Sequence, residues 1–301
     1  MSRSEQMEPH GRHSGTTPSH TVEGSDPRLH VEVYEPAART AGAGEAGEGE
    51  ASGDSGGGRR DVTLRPILLI HGFASSSKLN WVDAGWISSL TAAGRRVIAV
   101  DLPGHGLSAA PEDLDSYTPS RIRADLLQIV FDAGARPLRG DDPSSGLDLI
   151  GYSLGSRLAW EFGATQPELV HRMVLGGPGA ADPLAAFDLA AAQRYLADGT
   201  PIADASTAAL LKMAQLLPSN NIFALLTLVE AIKTEPFDPT EAVPRMPILL
   251  VAGEKDERAA TMTDLAAVSG KASELVLPAR NHTNAITSRA FKNAAIAFLA
   301  G

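Results

Sequence analysis

The sequence predicts an α/β fold: a mostly parallel, doubly wound β-sheet with a small helical cap. Short runs of Ile, Val and Leu recur from residue 65 onward, and amphipathic helical patterns lie between them. One Ala- and Leu-rich stretch, residues 180–243, separates two of these runs by far more than a usual connection. Alternating strands and helices are typical of a doubly wound parallel sheet, in which chemistry gathers at the carboxyl ends of the strands.

The strands fall into two classes. Residues 29–34 alternate apolar and polar side chains, which predicts a half-buried strand. The later strands are continuous apolar runs, as expected where helices cover both faces of a sheet. They are predicted at residues 67–70, 97–100, 147–150, 173–175, 248–251 and 275–277.

The helices are indicated by apolar stripes. One helix is expected after Thr118-Pro119, which would supply its cap and first turn. Its stripe consists of Ile122, Leu126, Ile129, Val130 and Ala133. A second stripe near the C-terminus consists of Phe291, Ala294, Ala295 and Phe298. Residues 180–243 contain helical pieces at 184–196, 207–217 and 223–232, and we interpret this segment as a cap over the sheet.

Amino-acid composition indicates where the predicted core begins and which segments lie outside it. Residues 1–28 are rich in Ser, Gly, Pro, Thr, His and charge, which predicts a disordered tail. Residues 37–60 are dominated by Ala, Gly, Glu and Ser, which predicts a flexible loop. The predicted core therefore comprises residues 29–179, apart from that loop, and residues 244–301, with the cap at 180–243 between the two parts.

Charge and composition exclude several classes of protein. The chain has 301 residues, 43% of them apolar, so a sizeable core can form. A net charge of −10 with no basic cluster argues against nucleic-acid binding. The absence of cysteine excludes thiol nucleophiles, disulfides and thiolate metal sites. No apolar run is long enough for a membrane span, and residues 1–28 lack a secretory signal pattern, so we expect a cytoplasmic protein that does not bind membranes.

Two other patterns do not indicate a cofactor or a metal. Residues 42–47 match the dinucleotide-binding pattern GxGxxG, but they lie in the low-complexity loop with no helix after them. His10, His13 and His20 lie in the tail, which gives them no fixed geometry. We therefore expect no cofactor and no metal, and the oligomeric state stays open.

The strongest chemical signal is Gly151-Tyr-Ser-Leu-Gly155. It follows the strand at 147–150 and opens a helical stretch, which is the strand–turn–helix context of a nucleophile elbow. Glycines are needed on both sides of Ser153 because a sharp turn leaves no room for side chains there. Ser153 is therefore the candidate nucleophile.

A serine hydroxyl needs a base, and two histidines follow Ser153 along the chain. His171 precedes a predicted strand, which places it at the wrong end of the sheet. His282 follows the last predicted strand and so lies at the carboxyl edge. We therefore assign His282 as the base.

The acid is expected after the strand at 248–251. Gly253 turns the chain there, and Asp256 can point back toward the histidine loop to hold the imidazole. Glu254, Glu257 and the earlier Asp182 are competing carboxylates. Asp256 is the preferred assignment.

Acyl transfer also needs amide donors for the oxyanion. The strand at 67–70 ends in His71-Gly72-Phe73, a close-approach turn at the same edge. The backbone N–H groups of Phe73 and Leu154 are the natural pair. His71 is more easily explained as a residue that stabilises this turn than as a catalytic group.

Several motifs thus occur in a fixed order. They are His71-Gly72-Phe73, Asp101-Leu-Pro-Gly-His-Gly-Leu-Ser108, Gly151-Tyr-Ser-Leu-Gly155, Gly253-Glu-Lys-Asp256 and His282. Over about residues 29–301 the chain resembles the α/β-hydrolase superfamily, and is closest to its small bacterial members with a short helical cap. The resemblance implies an eight-stranded, mostly parallel sheet, no cofactor, and the nucleophile, acid and base roles given above. Ser156 and Asn281 depart from the family pattern, because glycine is common at both positions.

The predicted reaction is hydrolysis of a small to medium, fairly apolar ester or lactone. Relatives that open epoxides or remove halides carry aspartate at the elbow, so Ser153 disfavours those reactions. The residues expected to line the substrate pocket are Trp81, Tyr152, Phe187, Met213 and Phe223. The same scaffold serves C–C bond hydrolases, perhydrolases and ligand receptors with negligible turnover, and the sequence leaves these alternatives open.

Overall fold

The computed structural model describes residues 18–21, 29–36, 64–182, 184–257 and 259–301. The predicted loop at 37–60 and the GxGxxG match within it lie outside the described residues. So do His10, His13 and most of the predicted tail.

The core is one eight-stranded sheet with the order β1-β2-β4-β3-β5-β6-β7-β8. The strands are β1 (His20–Thr21), β2 (Val31–Tyr34), β3 (Ile67–Ile70), β4 (Val97–Val100), β5 (Leu147–Tyr152), β6 (Val170–Gly176), β7 (Ile248–Gly253) and β8 (Ala272–Leu277). β2 runs antiparallel to its neighbours β1 and β4, and every other pair is parallel. The predicted eight-stranded, mostly parallel sheet is confirmed.

Eight α-helices lie among the described residues. They are α1 (Trp86–Ala92), α2 (Pro119–Asp132), α3 (Leu154–Thr165), α4 (Leu189–Asp198), α5 (Ala205–Leu216), α6 (Ile222–Thr234), α7 (Ala259–Ser269) and α8 (Arg289–Ala300). α2 begins as the sequence predicts: the Thr118 hydroxyl accepts a hydrogen bond from Arg121 N–H, and Pro119 occupies the first turn. Among the described residues, no helix is both long and apolar enough to cross a membrane.

The continuous apolar strands are explained by two cores, one on each face of the sheet. β3 and β4 are buried along their whole length, and their side chains alternate between the two cores. α2, α3 and α6 contribute to the larger core, whereas α1 and α8 contribute to the other. Burial on both faces leaves no position for polar alternation, which is why these strands are recognisable in the sequence.

The predicted tail needs one correction. His20–Thr21 forms β1, which pairs with β2, and both the amide and the hydroxyl of Ser19 donate to Val33 O at 2.8 and 2.7 Å. These are mostly backbone contacts, which a polar sequence makes as readily as an apolar one. The prediction of disorder over 1–28 is therefore wrong at residues 18–21.

The segment 180–243 contains α4, α5 and α6, inserted between β6 and β7. It contacts loops at the carboxyl edge of the sheet. Asn221 N–H donates to Gly104 O at 3.1 Å, after β4, and Asn220 Nδ2 donates to Ala74 O at 3.3 Å, after β3. The insertion therefore lies at the edge where the predicted nucleophile is found.

Candidate active site

Ser153 occupies the turn between β5 and α3 in a strained conformation, with φ 54° and ψ −114°. A β-carbon on Gly155 would lie 2.0 Å from Ile70 O, and one on Gly151 would lie 2.3 Å from Gly155 O. Both distances are far below van der Waals contact. The two glycines are therefore required for the helix to start this close to the strands, and the turn projects Ser153 at the sheet edge.

The structure brings Ser153, His282 and Asp256 into one hydrogen-bonded line. His282 Nε2 is 2.9 Å from Ser153 Oγ, and His282 Nδ1 is 2.7 Å from Asp256 Oδ2. Asp256 follows β7, and His282 follows β8, so neighbouring parallel strands deliver both groups to the edge that carries Ser153. A carboxylate at Nδ1 favours the tautomer whose Nε2 accepts the serine proton.

The competing carboxylates and the other histidine are engaged elsewhere. Asp182 pairs with Arg157, and Glu254 accepts the N–H of Ala279 at 2.7 Å. Glu257 is exposed to solvent. His171 lies on β6 and pairs with Asp148 at 3.0 Å, near the opposite end of the strands.

The loop after β3 approaches the nucleophile through Gly72. A β-carbon on Gly72 would lie 3.3 Å from both Ser153 Cβ and Tyr152 O. In the described part of the chain, neither Phe73 N–H nor Leu154 N–H donates to a protein acceptor. Both amides predicted as oxyanion donors thus lack a protein acceptor, as a donor to a ligand oxygen would.

Two buried histidines support this loop. His71 Nε2 accepts Leu102 N–H at 2.9 Å, and His105 Nε2 accepts Ala74 N–H at 3.0 Å. Burial lowers the pKa of both side chains, that of His105 to about 3, so both stay neutral and can accept these bonds. His71 thus has the turn-stabilising position expected from the sequence, and His105 is a second such residue.

Ser156 and Asn281, which depart from the family pattern, form hydrogen bonds within the turns near the site. Ser156 Oγ donates to Gly151 O at 3.0 Å and to Gly176 O at 2.8 Å, joining the elbow to β6. Asn281 Oδ1 accepts the N–H groups of Thr283 and Asn284, which closes the turn that carries His282. Both side chains therefore stabilise backbone near the site.

Five residues were predicted to line the pocket, and none of them borders the cavity found next to Ser153. Trp81 has no exposed surface and packs edge-on against Trp86 within the core. Phe223 is 75% exposed at the start of α6. Neither ring therefore borders this cavity: Trp81 is packed in the core, and Phe223 faces solvent from the start of α6.

The other three predicted pocket residues, Tyr152, Phe187 and Met213, are buried or partly buried without lining the cavity. Tyr152 is buried, and its hydroxyl donates to His282 O at 2.6 Å. Phe187 is buried against Phe73, with ring centroids 6.4 Å apart. Met213 is partly buried against the larger core. Tyr152 therefore anchors the histidine loop, and Phe187 packs behind the loop of the candidate oxyanion donors.

The cavity beside Ser153 is small, about 10 Å³. Its lining includes residues that the sequence reasoning missed: Ser156, Arg157, Trp160, Leu175, Phe237 and Leu265. Arg157 and Trp160 lie on α3 in the first turns after Ser153. An arginine within an otherwise apolar helix start was a usable signal, because a buried cation needs partners and such sites are often functional.

Within the described residues, no group of three or more His, Asp or Glu side chains is placed to hold a metal ion. The candidate site combines a hydroxyl, an imidazole and a carboxylate, with two amides predicted as oxyanion donors. This set can activate an oxygen nucleophile and stabilise a developing oxyanion.

Comparison with known proteins agrees with this architecture. The profile of the family described as alpha/beta hydrolase fold matches residues 65–244. The AB hydrolase superfamily protein YfhM of Bacillus subtilis (strain 168) is 33% identical over 120 residues, 39% of this chain and 36% of that protein. Epoxide hydrolase 3 of Mus musculus is 31% identical over 113 residues, 37% of this chain and 27% of that protein. The chain thus matches only 27% to 36% of the length of these relatives.

Two solved structures show the same fold over nearly the whole chain. A hydrolase from Pseudomonas aeruginosa PA01 has a TM-score of 0.64 at 22% identity, covering 94% of this chain and 98% of that one. The enol-lactonase from Burkholderia xenovorans LB400 has a TM-score of 0.64 at 18% identity, covering 94% and 100%. The family profile covers more than half of the residues. The chain therefore belongs to the α/β hydrolase fold family.

Proposed function

We propose that the protein is a serine hydrolase that cleaves a carboxylic ester or lactone of a small molecule through an acyl-enzyme. The observation that carries the proposal is the line Ser153–His282–Asp256, with 2.9 and 2.7 Å between successive partners. The amides of Phe73 and Leu154, which have no protein acceptor among the described residues, support it.

In the proposed reaction, His282 Nε2 takes the proton of Ser153 as Oγ attacks the carbonyl carbon. The amides of Phe73 and Leu154 donate to the oxyanion, and Asp256 stabilises the imidazolium that forms. His282 then protonates the departing alcohol. It later removes a proton from the water that attacks the acyl-enzyme and gives this proton to Ser153 Oγ as the acid leaves. The proton transfers between Ser153 and His282, and the support from Asp256, use side chains that are already joined by hydrogen bonds.

Serine at the elbow favours this reaction over epoxide opening, although epoxide hydrolases are among the relatives. Epoxide opening through an ester intermediate needs a carboxylate nucleophile, and the described residues place a hydroxyl on the turn. Solved structures with the same fold include an esterase from Thermogutta terrifontis and an enol-lactonase, which supports an ester or lactone as the substrate class.

The experiment is hydrolysis of phenyl and nitrophenyl esters combined with labelling by a fluorophosphonate probe. We expect stoichiometric labelling of Ser153 and turnover that falls on the order of 10⁴-fold in Ser153→Ala. Asp256→Asn is expected to lose about 10³- to 10⁴-fold in kcat, because the wrong imidazole tautomer is favoured. Far-UV circular dichroism checks that the variants fold. Folded wild-type protein with neither labelling nor Ser153-dependent turnover contradicts the proposal.

A further inference from the structure

The small cavity beside Ser153 is closed on its inner side. Ser156, Arg157, Trp160, Leu175 and Leu265 border it, and all of them are buried. Its volume of about 10 Å³ is roughly the room that one water molecule occupies. Of an acyl group bound to Ser153, the methyl end of an acetyl group is comparable in size to water, whereas a longer chain can enter only if part of the wall moves.

A cavity of this kind suits the acyl half of an ester better than the alcohol half. The alcohol must leave for solvent before water can attack, whereas the acyl group stays bound to Ser153 throughout. On its inner side, where the lining side chains are buried, this space offers no exit. The acyl group is therefore the part of the substrate that fits it.

One wall of the cavity comes from the far end of the helical insertion. Phe237 follows α6 and is only half-buried, so it is not held by the core alone. The guanidinium carbon of Arg157 lies 5.6 Å from the centre of the Phe237 ring, a cation–π contact. Phe237 is thereby held against the helix that begins at the nucleophile.

The Arg157 side chain is held by hydrogen bonds to both ends of the insertion. Its Nη1 donates to Asp182 near the start, and its Nη2 donates to the backbone oxygen of Glu235 near the end. Glu161, one turn along α3, also lies 3.5 Å from Arg157 and pairs with Arg123 at 2.8 Å. A buried guanidinium with this many partners has a fixed orientation. Because the Phe237 ring lies against this guanidinium, its position is restricted as well.

Building on the proposed function, we propose that this cavity is the acyl subsite, that Phe237 limits it to acetyl-sized acyl groups, and that Arg157 is the positioning residue for Phe237. The substrate class is then acetyl and similarly short acyl esters of small alcohols. The range of substrates expected from the sequence narrows accordingly: a medium-length apolar acyl chain does not fit unless Phe237 moves.

The test is a series of phenyl esters with one leaving group and acyl chains from acetate through butyrate to hexanoate. For wild type we expect kcat/KM to fall at least tenfold from acetate to butyrate. Phe237→Ala is expected to raise the butyrate-to-acetate ratio about tenfold. Arg157→Lys, which keeps the charge but not the fork of donors, is expected to raise the same ratio about threefold.

The chain offers a matched control. Phe298 is also half-buried and carries the guanidinium of Arg172 at 5.4 Å from its ring centre, but it lies on α8, away from the cavity. Phe298→Ala is therefore expected to leave the acyl-length ratio unchanged. Leu265→Ala enlarges the cavity while keeping both Arg157 and Phe237, and its butyrate-to-acetate ratio is expected to rise as well.

Two results would overturn the proposal while leaving the hydrolase assignment intact. One is a flat acyl-length profile in a wild-type protein whose Ser153 is labelled by the fluorophosphonate. The other is a Phe237→Ala variant whose changed preference follows the length of the alcohol in a series of acetates, which would place the leaving group in the cavity. Absent labelling and absent turnover of every ester would instead contradict the proposed function itself.

Discussion

The backbone of Gly177 lies directly against the imidazole of His282. A β-carbon at residue 177 would stand 2.7 Å from Cε1 and 2.9 Å from Nδ1, and the φ of Gly177 is +57°. The end of β6 thus forms a flat support for the ring that contacts Ser153. This contact accounts for a glycine at a position that no sequence motif marks.

Gly177→Ala is therefore expected to displace the imidazole and to lower kcat about 100-fold, since misplacement of a reacting group by about 1 Å has effects of this size. The measurement is ester turnover by the folded variant. Gly199→Ala is the control, because Gly199 also has a positive φ (+80°) but nothing lies within 4 Å of its β-carbon position. Equal losses of activity in the two variants would show that backbone strain, and not the contact with His282, is responsible.

Tyr152→Phe is expected to loosen the histidine loop. The variant removes the hydrogen bond from the phenol to His282 O, at 2.6 Å, and keeps the ring. We expect a loss of about 1 kcal/mol in the free energy of unfolding and a fall in kcat of several-fold. Tyr195→Phe, on an exposed ring of α4, is the control and should change neither quantity. Unchanged kcat in Tyr152→Phe would show that the loop holds its position without this bond.

Acid is expected to destabilise the fold through His105. Its pKa is about 3 in the folded protein and about 6.5 in an unfolded chain, so the unfolded state takes up the proton first. Stability is therefore complete above about pH 6.5 and is lost as the pH falls toward 3, by about 1.4 kcal/mol for each pH unit. His71, whose pKa is also lowered by burial, acts in the same direction.

His105→Gln isolates this contribution. Urea unfolding at pH 7 and pH 5 should show a loss on acidification about 2 kcal/mol smaller for the variant than for wild type. The variant is expected to be less stable at pH 7, because its amide replaces the imidazole imperfectly as acceptor for Ala74 N–H. Identical pH dependence in the two proteins would mean that His105 is not the group that titrates.

Asp148→Asn is expected to separate stability from activity. Asp148 is buried at the edge of the sheet opposite Ser153, where Arg95 donates to one carboxylate oxygen and His171 contacts the other. Neutralising one member of a buried ion pair typically costs about 3–5 kcal/mol. We expect that loss in urea unfolding, with kcat unchanged for the folded fraction. A lowered kcat in fully folded variant would indicate coupling between the two edges.

The sheet and the elbow could be predicted because their causes are local. β3 and β4 are covered on both faces, so every residue in them is apolar and the pattern is visible in the sequence. Ser153 lies on a turn so tight that only glycine fits at residues 151 and 155, and these two glycines are visible in the sequence. Neighbouring parallel strands then bring Asp256 and His282 to the same edge.

The lining of the site could not be predicted, because it depends on how helices are rotated and packed. Phe223 lies at the start of α6 and Phe237 follows its end, and nothing in their local sequence indicates that the first faces solvent and the second borders the cavity. Trp81 lies only a few residues after the loop that contains Phe73. Burying its large ring in the core is nevertheless more favourable than leaving it exposed in a substrate pocket. β1 was missed because its pairing uses backbone groups.

The helical insertion leaves the sheet after β6 and re-enters it at β7, and these two strands are direct neighbours, with Gly176 beside Val251. A segment that departs and returns at adjacent strands can be exchanged as a unit, provided that something equivalent to Asp182 and Glu235 still meets Arg157. Related proteins with this fold can thus diverge in the compounds that they bind by exchanging this one segment, while the residues of the candidate active site stay unchanged.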